Sequence, residues 1–107
     1  MVSYEDFKKL DLRVAEIKSV REHPNADKLL VLDVVIGEET KQIVAGIKAA
    51  YSKEELVGRK VIVLNNLEPA VLRGEVSSGM LLAASHDGSL PVLLSLEKEV
   101  PSGAVVK

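Results

Sequence analysis

With 107 residues, the chain is long enough for one domain and too short for two, so residues 1–107 are treated as a single unit. A net charge of −2 and an aromatic content of 3% argue against a strongly basic nucleic-acid-binding domain and against a protein that stacks successive bases on aromatic rings. The chain has no cysteine and its two histidines lie far apart, so we expect no disulfide, no metal site and no cofactor.

The sequence predicts no membrane segment. Its apolar runs are far shorter than the roughly 20 residues of a membrane-spanning helix, and its start lacks the basic and apolar regions of a signal peptide. We therefore expect a cytoplasmic protein.

The first predicted element is a short helix from Ser3 to Leu10. Ser3 is a suitable capping residue, and Asp6 follows it at nearly the spacing of a capping box. Tyr4 and Phe7 stand three residues apart and therefore share one face of this helix.

Five strands are predicted after the helix. The first runs from Leu12 to Val20, with an irregularity near Glu16. A hairpin turn at residues 37–40 joins strands two and three, and a helical turn with a capping box at Ser52 precedes strand four. The second to fifth strands are predicted at residues 29–36, 41–44, 60–64 and 79–85.

Two connections between these strands are chemically unusual, at residues 21–28 and 65–78. Most connections in compact domains have about two to six residues. The element order is that of the OB-fold, an all-β, five-stranded Greek-key barrel whose loops after strands one and four bind oligonucleotides. We predict this fold over about residues 11–86, with a binding surface on the two loops.

Two further apolar strands are predicted after the barrel, near residues 90–96 and 103–106. Uncovered apolar strands promote association. The segment of about residues 90–107 is therefore expected to cover the end of the barrel or to contact a second copy. The predicted dimer interface combines it with the apolar helix face and comprises Tyr4, Phe7, Leu93, Leu94, Val105 and Val106.

Several short motifs, in order along nearly the whole chain, resemble the tRNA-binding domain found at the carboxyl end of many methionyl-tRNA synthetases. The same domain occurs as a free-standing, structure-specific tRNA-binding protein and in cofactors of multisynthetase complexes. The matching stretches are Asp11-Leu12-Arg13-Val14, His23 to Leu29, Gln42 to Ile47, Tyr51, Leu56-Val57-Gly58, Asn66-Leu67 and Ser78 to Ala83.

This resemblance implies an OB-fold, tRNA binding without strong sequence preference, and a homodimer in the free-standing forms. It further implies an accessory (beta) subunit of methionyl-tRNA synthetase, with no catalytic activity of its own. The start at Met1 and the family length favour a complete chain over an excised domain. Few aromatics and a low pI of about 5.7 imply recognition through phosphates and shape, with weak binding by one copy.

Seven residues are candidates for tRNA contacts. Lys28 is predicted to bind phosphate at the mouth of the barrel; a lysine that merely leaves a turn is the alternative. Lys41 stands where the family often has arginine, so it keeps the charge without the bidentate fork. Asn66 offers amide groups to RNA or bonds the backbone locally, and Arg73 clamps phosphate or pairs with Glu75 or Glu68. The other candidates are Ser78, Gly79 and Met80.

The stretch Ser77-Ser78-Gly79-Met80 has no partner base and no nucleophile elbow, so no catalytic residue is predicted. The Ser78 hydroxyl and the Gly79 backbone N–H are expected to bind a phosphate oxygen, because a residue without a side chain lets a ligand approach closely. Met80 either contacts a base or ribose or fills the core. His23 is expected to end its strand structurally, with Pro24 fixing the turn.

Other functions remain open on sequence grounds. The main alternative is a protein-interaction module that assembles synthetase complexes without binding RNA. A small enzyme is disfavoured because no acid–base or metal constellation is present. A chaperone-like, peptide-binding relative also exists, although the His23 to Leu29 match points away from it.

Overall fold

The computed structural model describes all 107 residues. The chain folds into ten strands and two short helices. The helices are α1 (Tyr4–Lys8) and α2 (Lys53–Leu56). The longer strands are β1 (Leu12–Glu22), β2 (Leu30–Ile36), β3 (Glu39–Ala45) and β4 (Lys60–Leu64). The short strands are β5 (Ala70–Leu72), β6 (Glu75–Ser77), β7 (Met80–Leu81), β8 (Ala83–Ala84), β9 (Val92–Leu93) and β10 (Val105–Val106).

The long strand β1 organises a curled antiparallel sheet with the order β3-β2-β1-β4-β7. Its first half pairs with β4, from Leu12 opposite Leu64, and its second half pairs with β2, ending at Glu22 opposite Leu30. The register shifts between Ile17 and Ser19, close to the predicted irregularity. Such a bulge bends the strand, so β1 can serve both sides of a barrel. The predicted OB-fold is confirmed.

The core lies inside this curled sheet and is almost entirely aliphatic. Twelve buried side chains form one cluster, and α2 contributes Leu56 to it. Burial of this kind supplies the dominant stabilisation of a domain of this size, on the order of 1.5–3 kcal/mol for each fully buried side chain. The cluster comprises Ala15, Ile17, Leu30, Leu32, Val34, Ile36, Ile43, Ile47, Leu56, Val61, Val63 and Leu93.

Both helices begin as their sequences predict. The Ser3 side chain accepts a hydrogen bond from the Asp6 backbone N–H. Ser52 and Glu55 form the complete capping box, each side chain accepting from the other's backbone N–H. With five and four residues, neither helix has the length or apolar run needed to cross a membrane.

The connection between strands four and five differs from the predicted loop because it contains the hairpin β5–β6. Val71 lies opposite Val76 and Leu72 opposite Glu75, so Arg73 and Gly74 form a two-residue turn. Both have positive φ, 53° and 93°, as a type I′ hairpin turn requires. The predicted fifth strand is also broken, into β7 and β8.

The end of the C-terminal segment pairs with the chain's own barrel. β10 pairs with the start of β1, and the Gly103 N–H donates to the Val14 carbonyl oxygen at 2.7 Å. A Cβ on Gly103, whose φ is 91°, would lie 2.8 Å from the Gly37 Cα, so only glycine lets the two backbones approach this closely.

Leu93 is placed differently from its prediction as an interface residue. Its side chain is only 7% exposed and belongs to the core cluster, while its backbone N–H donates to the Tyr51 hydroxyl at 3.0 Å. The apolar run at 90–96 therefore fills the chain's own interior at Leu93, which removes this side chain from any surface for a second copy.

Candidate functional site

The two unusual connections meet at one place on the surface, which we call the loop concavity. Its lining comes from residues 25–29 of the first connection and from Arg73 at the tip of the β5–β6 hairpin, around a volume of about 460 Å³. Lys28 and Arg73 are both exposed there. Two cations predicted from separate parts of the sequence therefore share one surface.

Neither of these cations forms an ion pair, while the carboxylate of Asp27, next to Lys28 in the chain, also lines the concavity. Seven of the fourteen Lys and Arg side chains form ion pairs, and Lys28 and Arg73 are not among them. The predicted alternative for Arg73, a pair with Glu75 or Glu68, is therefore not formed. Glu75 pairs instead with Arg21, at 2.7 Å. Unpaired cations on an exposed concavity are available to an anionic ligand.

His23 links the two sides of the concavity. The side chain is 6% exposed, its Nδ1 accepts from the Asn25 N–H at 2.9 Å, and its Nε2 lies 2.8 Å from the Leu72 carbonyl oxygen. Asn25 belongs to the first connection, and Leu72 directly precedes Arg73. The structural role expected for His23 at the end of its strand is confirmed, and it extends to the hairpin.

A second set of polar contacts holds the other hairpin strand against the barrel. Glu75 of β6 accepts from Arg21 of β1, and the Gln42 amide of β3 donates to Glu75 at 3.2 Å and to the Val76 carbonyl oxygen at 2.9 Å. The hydrogen bond from Arg21 is the main reason that the pKa of Glu75 lies below its ordinary value. The hairpin is thus fixed to the barrel through β1 and β3.

Lys41 and Asn66 do not line the loop concavity; both support the start of the β4–β5 connection. Lys41 Nζ donates to the Asn65 carbonyl oxygen at 2.9 Å. The Asn66 amide accepts from the Asp11 N–H at 2.9 Å and donates to the Lys9 carbonyl oxygen at 2.8 Å. Asn66 therefore bonds backbone groups, as one alternative predicted, but its partners are 55 and 57 positions away in the sequence and not local.

Asp11 is the charged centre of that supporting network. Its carboxylate accepts from Arg13 Nε at 2.6 Å and from the Asn65 amide at 2.9 Å. These two hydrogen bonds, the one from Arg13 first, lower the pKa of Asp11 from its ordinary 3.8. The network ties the α1–β1 linker to the end of β4.

Ser77 and Ser78 close the barrel. The Ser77 hydroxyl accepts from the Val44 N–H at 3.0 Å and donates to the Gly79 carbonyl oxygen at 2.9 Å. The Ser78 N–H donates to the Gln42 carbonyl oxygen at 2.9 Å. These contacts join β3 to the chain beside β7, where the sheet lacks a regular ladder.

Gly79 and Met80 are neighbours in the chain but differ in burial. Gly79 is buried, and an added Cβ would lie 3.1 Å from the Leu64 carbonyl oxygen, so packing requires the glycine rather than the close approach of a ligand. Met80 is 45% exposed, so of its two predicted alternatives the structure excludes the filling of the core. Its side chain is open to a ligand or a partner.

A separate apolar groove of about 250 Å³ lies between α1 and β10. Tyr4, Phe7, Lys8 and Leu10 line one side of it, and Val105, Val106 and Lys107 line the other, so five of the seven lining residues are apolar and two are lysines. Tyr4 is 70% exposed and Val105 is 53% exposed. The groove unites most of the predicted dimer residues, whereas Leu94 is exposed outside its lining.

The geometry defines an OB-fold domain whose loops after strands one and four bring the unpaired cations Lys28 and Arg73 to a shared surface. The chain belongs to the family described as "Putative tRNA binding domain", whose model matches residues 12–105. The predicted family resemblance is confirmed.

Proteins of known sequence and structure agree with this assignment. Methionine–tRNA ligase of Thermococcus onnurineus (strain NA1) is 54% identical over 106 residues, which are 99% of this chain and 14% of that protein. Methionine–tRNA ligase of Deinococcus radiodurans is 47% identical over 107 residues, all of this chain and 16% of that protein. The chain thus spans a small part of the curated relatives that it matches.

Among solved structures, the "MetRS related protein from Pyrococcus horikoshii" superposes with a TM-score of 0.93 and 34% identity, covering 100% of this chain and 98% of that one. The "chaperone CsaA" from Bacillus anthracis superposes with a TM-score of 0.91 and 30% identity, covering 100% and 99%. The same fold is therefore shared by proteins that are named for a synthetase and for a chaperone.

Sequence reasoning missed the polar residues that hold the hairpin in place. Arg21, Gln42 and Glu75 are ordinary polar residues in the sequence, and only the fold brings them within hydrogen-bond distance. The signal that was present is the Arg73-Gly74 pair between two short stretches that each contain one valine, since a glycine in a two-residue turn is typical of a hairpin.

Proposed function

We propose that this chain binds tRNA through the loop concavity, using phosphate contacts and the shape of the folded RNA. The observation that carries the proposal is the convergence of Lys28 and Arg73, both free of ion pairs, at the two loops by which the OB-fold binds nucleic acid. Membership in the tRNA-binding domain family supports the same ligand.

Phosphate and shape are the recognition mode that these residues permit. None of the three aromatic residues lines the loop concavity, so stacking of successive bases there is not available. Lysine and arginine contacts to phosphate carry no direct sequence information. Such a site distinguishes RNAs by the positions of their phosphates, as a rigid, folded RNA allows.

We further propose that the protein acts as an accessory to methionyl-tRNA synthetase, as a non-catalytic beta subunit. The support is its identity of about one half, along almost its whole length, to parts of methionine–tRNA ligases. In this role, tRNA held by the accessory protein is delivered to an active site on another polypeptide, which raises the effective concentration of the substrate there.

We also propose that two copies associate through the α1–β10 groove. Tyr4, Phe7, Leu10 and Val105 leave apolar surface exposed on both sides of it, and burying such surface favours a symmetric dimer. Two copies would present two loop concavities to one tRNA, which compensates for the few free cations on each copy.

The test of tRNA binding is a titration of the full chain with unmodified tRNA across a series of salt concentrations. We expect the logarithm of the association constant to fall linearly with the logarithm of the salt concentration, because neutralising phosphates releases counterions. No binding at low salt, or an affinity that salt does not change, would refute the proposed ligand. Addition of a catalytic methionyl-tRNA synthetase subunit then tests the accessory role separately, by co-migration and by aminoacylation rate.

A protein-interaction module is the second candidate, and one specific feature favours it. The outer face of the hairpin exposes Val71 at 69% and Val76 at 43%, directly opposite each other. Exposed β-branched pairs of this kind suit a protein or peptide partner. A Val71→Lys variant that binds tRNA as the unmodified chain does, but no longer joins the synthetase, would assign this face to protein contact.

A further inference from the structure

The ring of His23 has a defined protonation pattern. A backbone N–H can only donate, so the contact from the Asn25 N–H at 2.9 Å makes Nδ1 the acceptor. The ring proton then resides on Nε2, which donates to the Leu72 carbonyl oxygen at 2.8 Å. Both ring nitrogens are therefore used by neutral histidine, in one tautomer.

This ring joins strand β5 to the barrel through a short hydrogen bond to Leu72. β5 pairs only with β6, and the contacts of Arg21 and Gln42 reach β6 rather than β5. The other bond at the hairpin tip, from the Asn25 amide to the Arg73 carbonyl oxygen, is 3.5 Å long and correspondingly weak. The His23 bond is short and buried, where hydrogen bonds are stronger.

His23 bonds backbone groups close in sequence to each of the two free cations, Lys28 and Arg73. Leu72 directly precedes Arg73, and Asn25 begins the five-residue lining segment that contains Lys28. We propose that His23 is a positioning residue that fixes the hairpin tip against the first connection, so that Lys28 and Arg73 engage one stretch of RNA backbone together. This role rests on the proposed tRNA binding.

The physical gain is preorganisation. Two long cationic side chains on independently moving loops lose more freedom on binding than two whose backbones already lie in place. We place His23 outside the RNA contact, and its replacement should reduce affinity by separating the cations while the net charge of −2, counted with neutral histidine, stays the same.

Two substitutions test the hydrogen bonds of Nδ1 and Nε2 one at a time. His23→Asn places an amide oxygen near the position of Nδ1, where it can still accept from Asn25, but it cannot reach Leu72. His23→Gln places an amide N–H near the position of Nε2, where it can donate to Leu72. We expect His23→Gln to bind tRNA within about twofold of the unmodified chain and His23→Asn to bind about tenfold more weakly, which is about 1.4 kcal/mol.

Two readouts distinguish positioning from general stabilisation. Amide hydrogen exchange in the free protein should accelerate at residues 70–77 in His23→Asn, while the amides of β2 stay protected; His23→Gln should leave both protected. An Arg73→Ala substitution should reduce the salt slope of tRNA binding by about 1 in the unmodified chain, and by much less when combined with His23→Asn.

Nitrogen-15 NMR of the unmodified chain tests the same idea without a substitution, in case a variant fails to fold. We expect a proton on Nε2 and a bare Nδ1 at neutral pH; a proton on Nδ1 would overturn the proposal. If the chain binds tRNA but His23→Asn retains full affinity and the full Arg73 dependence, the positioning role is wrong and the proposed function stands. If the unmodified chain binds no tRNA, both fail.

Discussion

The backbone N–H of Ser78 lies 2.9 Å from the carbonyl oxygen of Gln42, and this hydrogen bond closes the barrel between β3 and the chain leading into β7. Ser77 and Ser78, which the sequence places in a predicted binding loop, therefore hold the barrel together. Its neighbour Gly79 packs against β4, where an added side chain would make unusually tight contacts.

Replacing Gly79 with alanine should destabilise the protein by about 1–3 kcal/mol, the usual cost of overpacking. The added Cβ would meet the Leu64 carbonyl oxygen at 3.1 Å, and the residue has a φ of 155° that other residues rarely adopt. Urea unfolding measures the change. Gly46→Ala is the matched control: its Cβ meets nothing nearer than Leu29 Cδ2 at 3.8 Å, so its effect should be within about 0.5 kcal/mol. Equal effects would contradict the packing argument.

Replacing Asn66 with alanine should lower stability by about 1 kcal/mol, because the Asp11 N–H and the Lys9 carbonyl oxygen both lose a partner. The slope of tRNA affinity against salt should stay the same, since the amide is engaged within the chain and carries no charge. Unfolding and binding measured on the same sample check both parts. If stability is unchanged and tRNA binding is weaker, Asn66 contacts the RNA and the structural interpretation is wrong.

The acid stability of the protein should depend on Asp11. Its pKa is lowered in the folded state, chiefly by the hydrogen bond from Arg13, so the unfolded chain takes up the proton first. The stabilisation is therefore present above the ordinary value of 3.8 and is lost as the pH falls through the lower, folded-state value. Asp11→Asn should be less stable than the unmodified chain at pH 7, and the difference should shrink in acid.

Unfolding experiments from neutral to acidic pH measure this effect. Glu38→Gln provides the control, because it removes one carboxylate that forms no ion pair. A difference between Asp11→Asn and the unmodified chain that stays constant with pH would mean that the contribution of Asp11 is not ionic.

The α1–β10 groove should hold a second copy of the chain. Light scattering should then give about twice the chain mass of 11.6 kDa. Val105→Lys replaces apolar surface by a third lysine in a groove already lined by Lys8 and Lys107, and it should produce monomers with weaker tRNA binding. Leu90→Lys, at a 54% exposed position outside the groove, should remain dimeric. If the unmodified chain is monomeric at micromolar concentration, the proposed dimer is wrong. Equal tRNA affinity for monomer and dimer would show that each barrel acts alone.

The barrel could be predicted from the sequence because the patterns that indicate its strands and helices lie within short stretches of the chain. Alternating and β-branched stretches marked β1 to β4, and the serine caps marked both helices. The hairpin was harder to recognise, since its strands have only three residues each and its turn begins with Arg73 at a φ of 53°, where asparagine or glycine is usual.

The details of the site depend on contacts between distant residues, which a single sequence does not reveal. His23 and Leu72 are 49 positions apart, and Asn66 and Asp11 are 55 apart. Lys41 looked as available to phosphate as Lys28, yet its ammonium group is bonded to the Asn65 carbonyl oxygen. Leu93 and Leu94 are adjacent leucines, and only the packing shows that one is buried and the other is exposed.

The most direct test of the central claim compares the salt dependence of tRNA binding in two double variants of equal charge. Lys28→Ala with Arg73→Ala removes both cations of the loop concavity, and Lys18→Ala with Lys98→Ala removes two unpaired cations outside its lining. The first pair should weaken binding and reduce the slope by about 2, whereas the second should change the slope little. Equal slopes for both double variants would contradict the account, because the loop concavity would then contribute no more than general surface charge.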